Sequence, residues 1–451
     1  MMKLFFRIAV IAFAGIMTLG SGQVQADNLP RAVKQVLKTH PQIKELGYNR
    51  QARTQEVVQA KGAYYPTLGG AFSLGYMKQD KPEISNDKSW PKQHTLGARQ
   101  NLFRGGADVA DVNRQKAREK SQAFLLQGTS ENIALLTTRV YINVLLSSEL
   151  HELAKQNLVN HERIADQVKL RMQSGVDSRA ELEQVMGRLA LAQSNVVVTA
   201  ANLNDAITDY QAVVGRHPGQ LAEIERLEAA LPATLDEAEH FALNNYPIVK
   251  SAKADLEARQ FQYEVARRLL SPTLDVAADY NWNDDVYPEF DRRDYFTATA
   301  AVTYNIFNGG RDYGRIQETK YLIKEAEEIL KNTERETVQS IRLSWEANEA
   351  TKERVAHLED YVKAAEATAD AFATQWSIGR RTMFDLLDTQ AEAINSKSDL
   401  TKANYDQTYA QFRILSGMGK LVHSMGLEWP EASIVEEASA DAGAEAATAK
   451  E

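Results

Sequence analysis

Asp385 and Asp388 stand three residues apart in Thr382-Met383-Phe384-Asp385-Leu386-Leu387-Asp388, and on a helix that spacing puts both carboxylates on one face. Carboxylates gathered around a shared axis bind and select cations. A plainer role competes for the first of them. Thr382 with Asp385, like Ser178 with Glu181, fits the capping box, in which a hydroxyl and a carboxylate three residues on satisfy free N–H groups at a helix start. Capping covers Glu181 and Asp385 but leaves Asp388 unexplained. Reaction chemistry has no comparable foothold. The chain has no Gly-x-Ser-x-Gly, no phosphate-binding Gly-rich loop and no His-Glu-x-x-His. His151 and His161 are ten residues apart, about 15 Å along a helix, too far to share a metal as neighbours. With no cysteine at all, disulfides, thiolate metal sites and a cysteine-linked lipid anchor are excluded. We therefore expect no enzyme, no metal and no cofactor.

The carboxylates follow a turn, Ile378-Gly379, and the earlier box follows another, Ser174-Gly175. Each turn ends a long stretch free of proline: none occurs between Pro91 and Pro218 or between Pro288 and Pro430. Residues 106–174 alone predict about 100 Å of helix. Apolar residues recur at spacings of three and four (Ile133, Leu136, Val140, then Leu150, Leu153), so partner helices must cover the stripe. The pattern predicts two long helical hairpins.

The two hairpins belong to an internal duplication. Leu29, Ala32, Pro41, Ala52, Arg53 and Pro66 recur as Leu235, Ala238, Pro247, Ala258, Arg259 and Pro272. After a two-residue change of register, Asn101-Leu102-Phe103-Arg104-Gly105-Gly106 matches Asn305-Ile306-Phe307-Asn308-Gly309-Gly310. Each half opens with a helix (29–63, then 235–270) and continues into alternating segments. In 67–77, Leu68, Phe72, Leu74 and Tyr76 share one face; in 273–282, Leu274, Val276, Tyr280 and Trp282 do. Period two signals strands. Second strands follow polar loops (78–93, 283–294) at 95–103 and 296–306. Strands of about ten residues with one apolar face suit a membrane barrel; a hairpin packed on a soluble core gives the same pattern.

The start of the 451-residue chain reads as a secretory signal. Lys3 and Arg7 precede an apolar stretch that is too short to span a bilayer, and Val24-Gln25-Ala26 is a cleavage site. No later segment reads as a membrane helix. A net charge of −9 argues against nucleic acid. The divisions read as signal 1–26, first repeat 27–216, linker 217–233, second repeat 234–430 and a disordered acidic tail 431–451.

Four strands per chain cannot close a barrel, and an open edge cannot sit in lipid. Several copies must therefore pool their strands. With this, the sequence resembles the TolC-like outer membrane factors, across residues 29–417. The most specific parts are the paired Phe-x-Gly-Gly turns and the segment from Trp376 to Asp388. The resemblance implies an α+β membrane protein: a homotrimer with a 12-stranded outer-membrane β-barrel continued by an α-helical tunnel into the periplasm. It also implies docking onto a periplasmic adaptor (a membrane fusion protein) and an inner-membrane ABC or RND transporter, and hence export of proteins or of small toxic molecules. Asp385 and Asp388 match the family's constriction. Arg381 and Trp376 match an arginine and an aromatic that latch the entrance, with Ala180 and Glu181 at the partner positions; the family's threonine is missing. Gly175, Val176, Gly379 and Arg380 fall where the tips meet the adaptor. A non-conducting coiled-coil scaffold is the competing reading.

Overall fold

The computed structural model describes residues 27–81, 84–225, 227–287 and 290–435. The signal segment and residues 436–451 of the tail lie outside them.

Each half begins with two helices where the sequence suggested one. Helix α1 (Leu29–Thr39) stops at His40 and α2 (Pro41–Lys61) restarts at Pro41. In the second copy α5 (Leu235–Asn245) and α6 (Pro247–Arg267) flank Tyr246. The cause is the proline at each restart. It disfavours helical ψ in the preceding residue, so His40 (ψ 130°) and Tyr246 (ψ 124°) are extended.

Strands β1 (Thr67–Leu74), β4 (Lys92–Phe103), β5 (Thr273–Tyr287) and β6 (Phe290–Thr303) form one antiparallel sheet in that order, while β2 (Met77–Lys81) and β3 (Ile84–Ser89) make a separate ribbon. The expected polar loops are thus largely strand. Their polarity reports contact with water, not loss of backbone pairing: Lys92 faces Asp284 across β4 and β5, with an ion pair of 3.1 Å. Register places Gly70, Leu96, Tyr280 and Phe296 in one row, and Thr67, Arg99, Ala277 and Thr299 in another. One face therefore carries Leu68, Phe72, Leu96, Phe296 and Val302, all exposed; Leu68 is 81% exposed and Phe72 76%. The opposite face is polar, with Thr95 donating to Asn281 and Asn101 to Asp275, both at 2.7 Å. The outer edges of β1 and β6 have no strand partner among the described residues.

From the sheet, α3 (Ala107–Gln173) and α7 (Arg311–Ser377) run 67 residues each, about 100 Å. Helices α4 (Arg179–Val214) and α8 (Met383–Gly417) return along their far halves, while α2 and α6 pack beside α3 nearer the sheet. Gly128 permits the close approach of α3 to α6: a Cβ there would lie 2.2 Å from Ile248 Cδ1. The most apolar window of α3 is long enough to cross a bilayer, with mean hydropathy 1.2, but 44% of it is buried. Ile133, Val140 and Tyr141 of α3, with Leu126 before them, pack into a core with α1 and α4.

That core is closed by a belt made from α1, the linker and the C-terminal end, including α9 (Leu421–Ser424). Its polar anchor is Glu131, fully buried on α3, which accepts from Leu421 N (2.9 Å) and Trp429 Nε1 (2.8 Å). Burial pushes its carboxyl up to about 7, against the pull of those hydrogen bonds. The tail was expected to be disordered from 431, but Glu431–Ser433 form a 3-10 turn on this belt. Gln127 donates to Ser433 O (2.8 Å) and Arg50 to Ile434 O (3.2 Å), so these residues are held although their composition is acidic.

Candidate pore entrance at the helical tips

Both hairpins turn in the same way. Gly175 (φ 77°) and Gly379 (φ 74°) take the left-handed conformation that ends a helix. Val176 N bonds Arg171 O at 2.9 Å, and Arg380 N bonds Gln375 O at 2.9 Å, closing matched Schellman turns. The next helices start on capping boxes. Glu181 N reaches Ser178 Oγ and Asp385 N reaches Thr382 Oγ1, both at 3.2 Å, with each carboxylate bonded back to its cap. The four turn residues expected to meet an adaptor lie at the extreme end. Val176 (64%) and Ile378 (63%) leave their side chains exposed there.

A small core ties the tips together: Ile164, Val168 and Val185 of the first hairpin meet Trp376, Met383, Leu386 and Leu387 of the second. Trp376, expected as part of a latch, is buried in this core, with the Arg171 guanidinium 5.0 Å from its ring centre. Its indole is therefore packing, where a phenol could have offered a hydroxyl.

The structure does not join Arg381 to Glu181 within the chain. Arg381 Nε donates to Gln375 (3.0 Å), the guanidinium stacks 4.2 Å from the Phe372 ring centre, and Asp385 lies 4.0 Å away. Glu181 is occupied by its capping box, so each side chain has a nearer partner on its own hairpin. A different ion pair bridges the two hairpins. Arg188 of α4 reaches Asp388 of α8 at 3.2 Å. Nothing in the sequence flagged Arg188, because the pair is 200 residues apart. The carboxylate remains 72% exposed, so the pair adds at most about 1 kcal/mol and leaves Asp388 open to solvent.

Asp385 and Asp388 thus sit on the same first turns of α8, one engaged in capping and one in a bridge. His161 of α3 is buried, with Arg188 nearby. Burial, and then Arg188, lowers its pKa. His151 instead bonds Thr199 at 3.0 Å. No group of side chains able to hold a metal occurs among the described residues.

A family described as outer membrane efflux protein matches residues 32–216 and 240–420, one stretch in each half. The chain belongs to the outer membrane efflux protein family. The Escherichia coli outer membrane protein TolC is 24% identical over 422 residues, covering 88% of this chain and 83% of TolC. The alkaline protease secretion protein AprF of Pseudomonas aeruginosa is 20% identical over 407 residues, covering 85% and 82%. A solved structure of CusC superposes with a TM-score of 0.78 at 14% identity, covering 87% of this chain and 92% of that one, so the fold is shared. Family membership makes this an outer-membrane export channel protein, with an α+β channel fold.

Proposed function

We propose that three copies of this chain form one duct, a 12-stranded barrel above a helical tunnel, in a tripartite export system with a periplasmic adaptor and an inner-membrane transporter. The observation that carries the reading is the four-stranded sheet with two open edges and a bare apolar face. Lipid tolerates the apolar face but not the edges, and only neighbouring copies of the same sheet satisfy both. The exposed apolar tips support docking of the adaptor at Gly175, Val176, Gly379 and Arg380. A relative named for protease secretion and a family named for efflux support two cargo classes, proteins and small molecules. Comparing the secreted proteins of a deletion strain with its drug tolerance separates them.

In this reading Asp385 and Asp388 of the three copies ring the periplasmic entrance and draw cations into it. Arg381 then acts on its own hairpin and on the neighbouring copy, and Trp376 anchors the tip core. The test is conductance of the purified protein in planar bilayers. Multivalent cations added on the periplasmic side should block the wild type. Asp385→Ala with Asp388→Ala should weaken that block at least tenfold. Unchanged block rejects the constriction, and a protein that neither fractionates with the outer membrane nor conducts returns the scaffold reading.

A further inference from the structure

Arg53 and Arg259 hold equivalent places in the two copies, and the fold brings them to either side of α3, which adds Arg114 and Arg118 one helical turn apart. The four guanidiniums line a recess of about 390 Å³ with Gln122 and Gln262. Their charged partners are too few, although Arg118 also donates to Gln115 (3.0 Å) and Arg259 to Gln262 (3.3 Å). Glu56 is shared by Arg53 (2.7 Å) and Arg118 (3.0 Å); Arg114 pairs with Asp111 (2.5 Å); Arg259 reaches Asp255 only at 3.7 Å. Three carboxylates therefore answer four guanidiniums, and Arg114 Nε is buried without an acceptor among the described residues. Burial, and then repulsion from Arg53, lowers the pKa of Arg118, with Arg114 and Arg259 adding to it against Glu56.

The orientation of the recess follows from what lies on the other side of the same helices. Lys120 pairs with Glu257 and Lys250 stacks on Phe124 there. Further along that face, Gln127 and Arg50 hold the C-terminal end of the belt. A tube has room for such a belt only on its outside, so the arginines face the lumen. Arg118 lies about 17 Å along α3 from the sheet, between the barrel and the acidic tips.

We propose that this recess is a lumenal anion-binding site, one per subunit, that takes a compact polyanionic group such as a phosphate or clustered carboxylates on material in transit. Arginine presents paired N–H donors that match these groups, and a partly buried cluster with excess positive charge holds them more tightly than exposed lysines would. The lumenal placement rests on the duct reading; the binding itself does not.

Calorimetry on the full-length protein in detergent, with inorganic tripolyphosphate as the probe, reads the site directly. The wild type should bind one probe per subunit. Arg114→Gln with Arg118→Gln should raise Kd at least tenfold, while Arg118→Lys, which keeps the charge but loses the paired donors, should raise it by less than that. If the double variant fails to assemble, Arg114→Gln alone replaces it, because the Nε it removes has no structural partner. Absence of wild-type binding, or an unchanged Kd in the glutamine variants, overturns the proposal. Bilayer currents read the placement: tripolyphosphate should reduce current through the wild type and not through the variant. Binding without any effect on a conducting channel overturns the lumenal assignment. Binding by a protein that never conducts keeps the anion site and overturns the duct.

Discussion

The first and second hairpin tips make the same cross-turn bond with donor and acceptor exchanged. In the first, Arg171 at the helix end donates to Asp177 beyond the turn at 2.9 Å. In the second, Arg381 beyond the turn donates back to Gln375 at the helix end at 3.0 Å. Arg171 and Gln375 are equivalent positions in the duplication, as are Asp177 and Arg381. The first tie is an ion pair whose carboxylate is 8% exposed; the second leaves a full positive charge beside Asp385. Backbone-defined features (the left-handed glycine, the Schellman bond, the capping box) are alike in both copies, because the turn admits few solutions. Side chains diverge where their neighbours differ. Glu131, which anchors the belt, has the exposed Arg335 as its counterpart, and Arg114 has Glu318.

The largest effect is expected in the core that the two tips share. Trp376→Ala should cost roughly 3–5 kcal/mol, because a large buried ring is replaced by a cavity. Limited proteolysis should then cut both tips, since residues of both hairpins pack on the indole; cutting at the second tip alone would show the two to be independent.

A second test concerns the belt, whose buried anchor Glu131 occurs in one copy only. The raised folded pKa of Glu131 means that its contribution is fully present below the unfolded value near 4.5 and is lost as pH rises through about 7. Thermal unfolding should show belt stability falling between pH 5 and pH 8 by on the order of 3 kcal/mol. Glu131→Gln should remove that part of the pH dependence. A variant with the wild-type pH profile would place the titration elsewhere.

The exchanged ties should differ in strength. Asp177→Ala leaves a partly buried guanidinium without its ion pair and should cost about 1–3 kcal/mol. Gln375→Ala removes a neutral acceptor at an exposed site and should cost under about 1 kcal/mol. Hydrogen exchange at the two turns measures both, and equal losses would mean that the charge exchange has no energetic meaning. The smallest effect belongs to the bridge between hairpins. A double-mutant cycle on Arg188→Gln and Asp388→Asn should give about 0.2–1 kcal/mol, shrinking with added salt.

Much of the architecture was legible in the residues because it repeats. The duplication, the tip glycines, the capping boxes and the alternating apolar strands each leave a local pattern. The two prolines that split the first helices are visible as repeated positions, but a proline is equally at home in the first turn of one helix, so the extended His40 and Tyr246 before them leave no separate mark. Polar strand ends look like loops in sequence because alternation marks a buried or lipid-facing side, whereas Lys92, Asp284 and Arg292 pair in water. At the candidate entrance, local chemistry was readable and long-range pairing was not. The link from Arg188 to Asp388, and the removal of Trp376 into a core, depend on how two hairpins far apart in sequence lie together.

The central claim is that copies of this chain pool their strands. Native mass spectrometry of the full-length protein extracted from outer membranes in detergent tests it most directly. The account predicts a single assembly of three chains that retains its sheet signal. A stable, folded monomer with the same sheet content would contradict it.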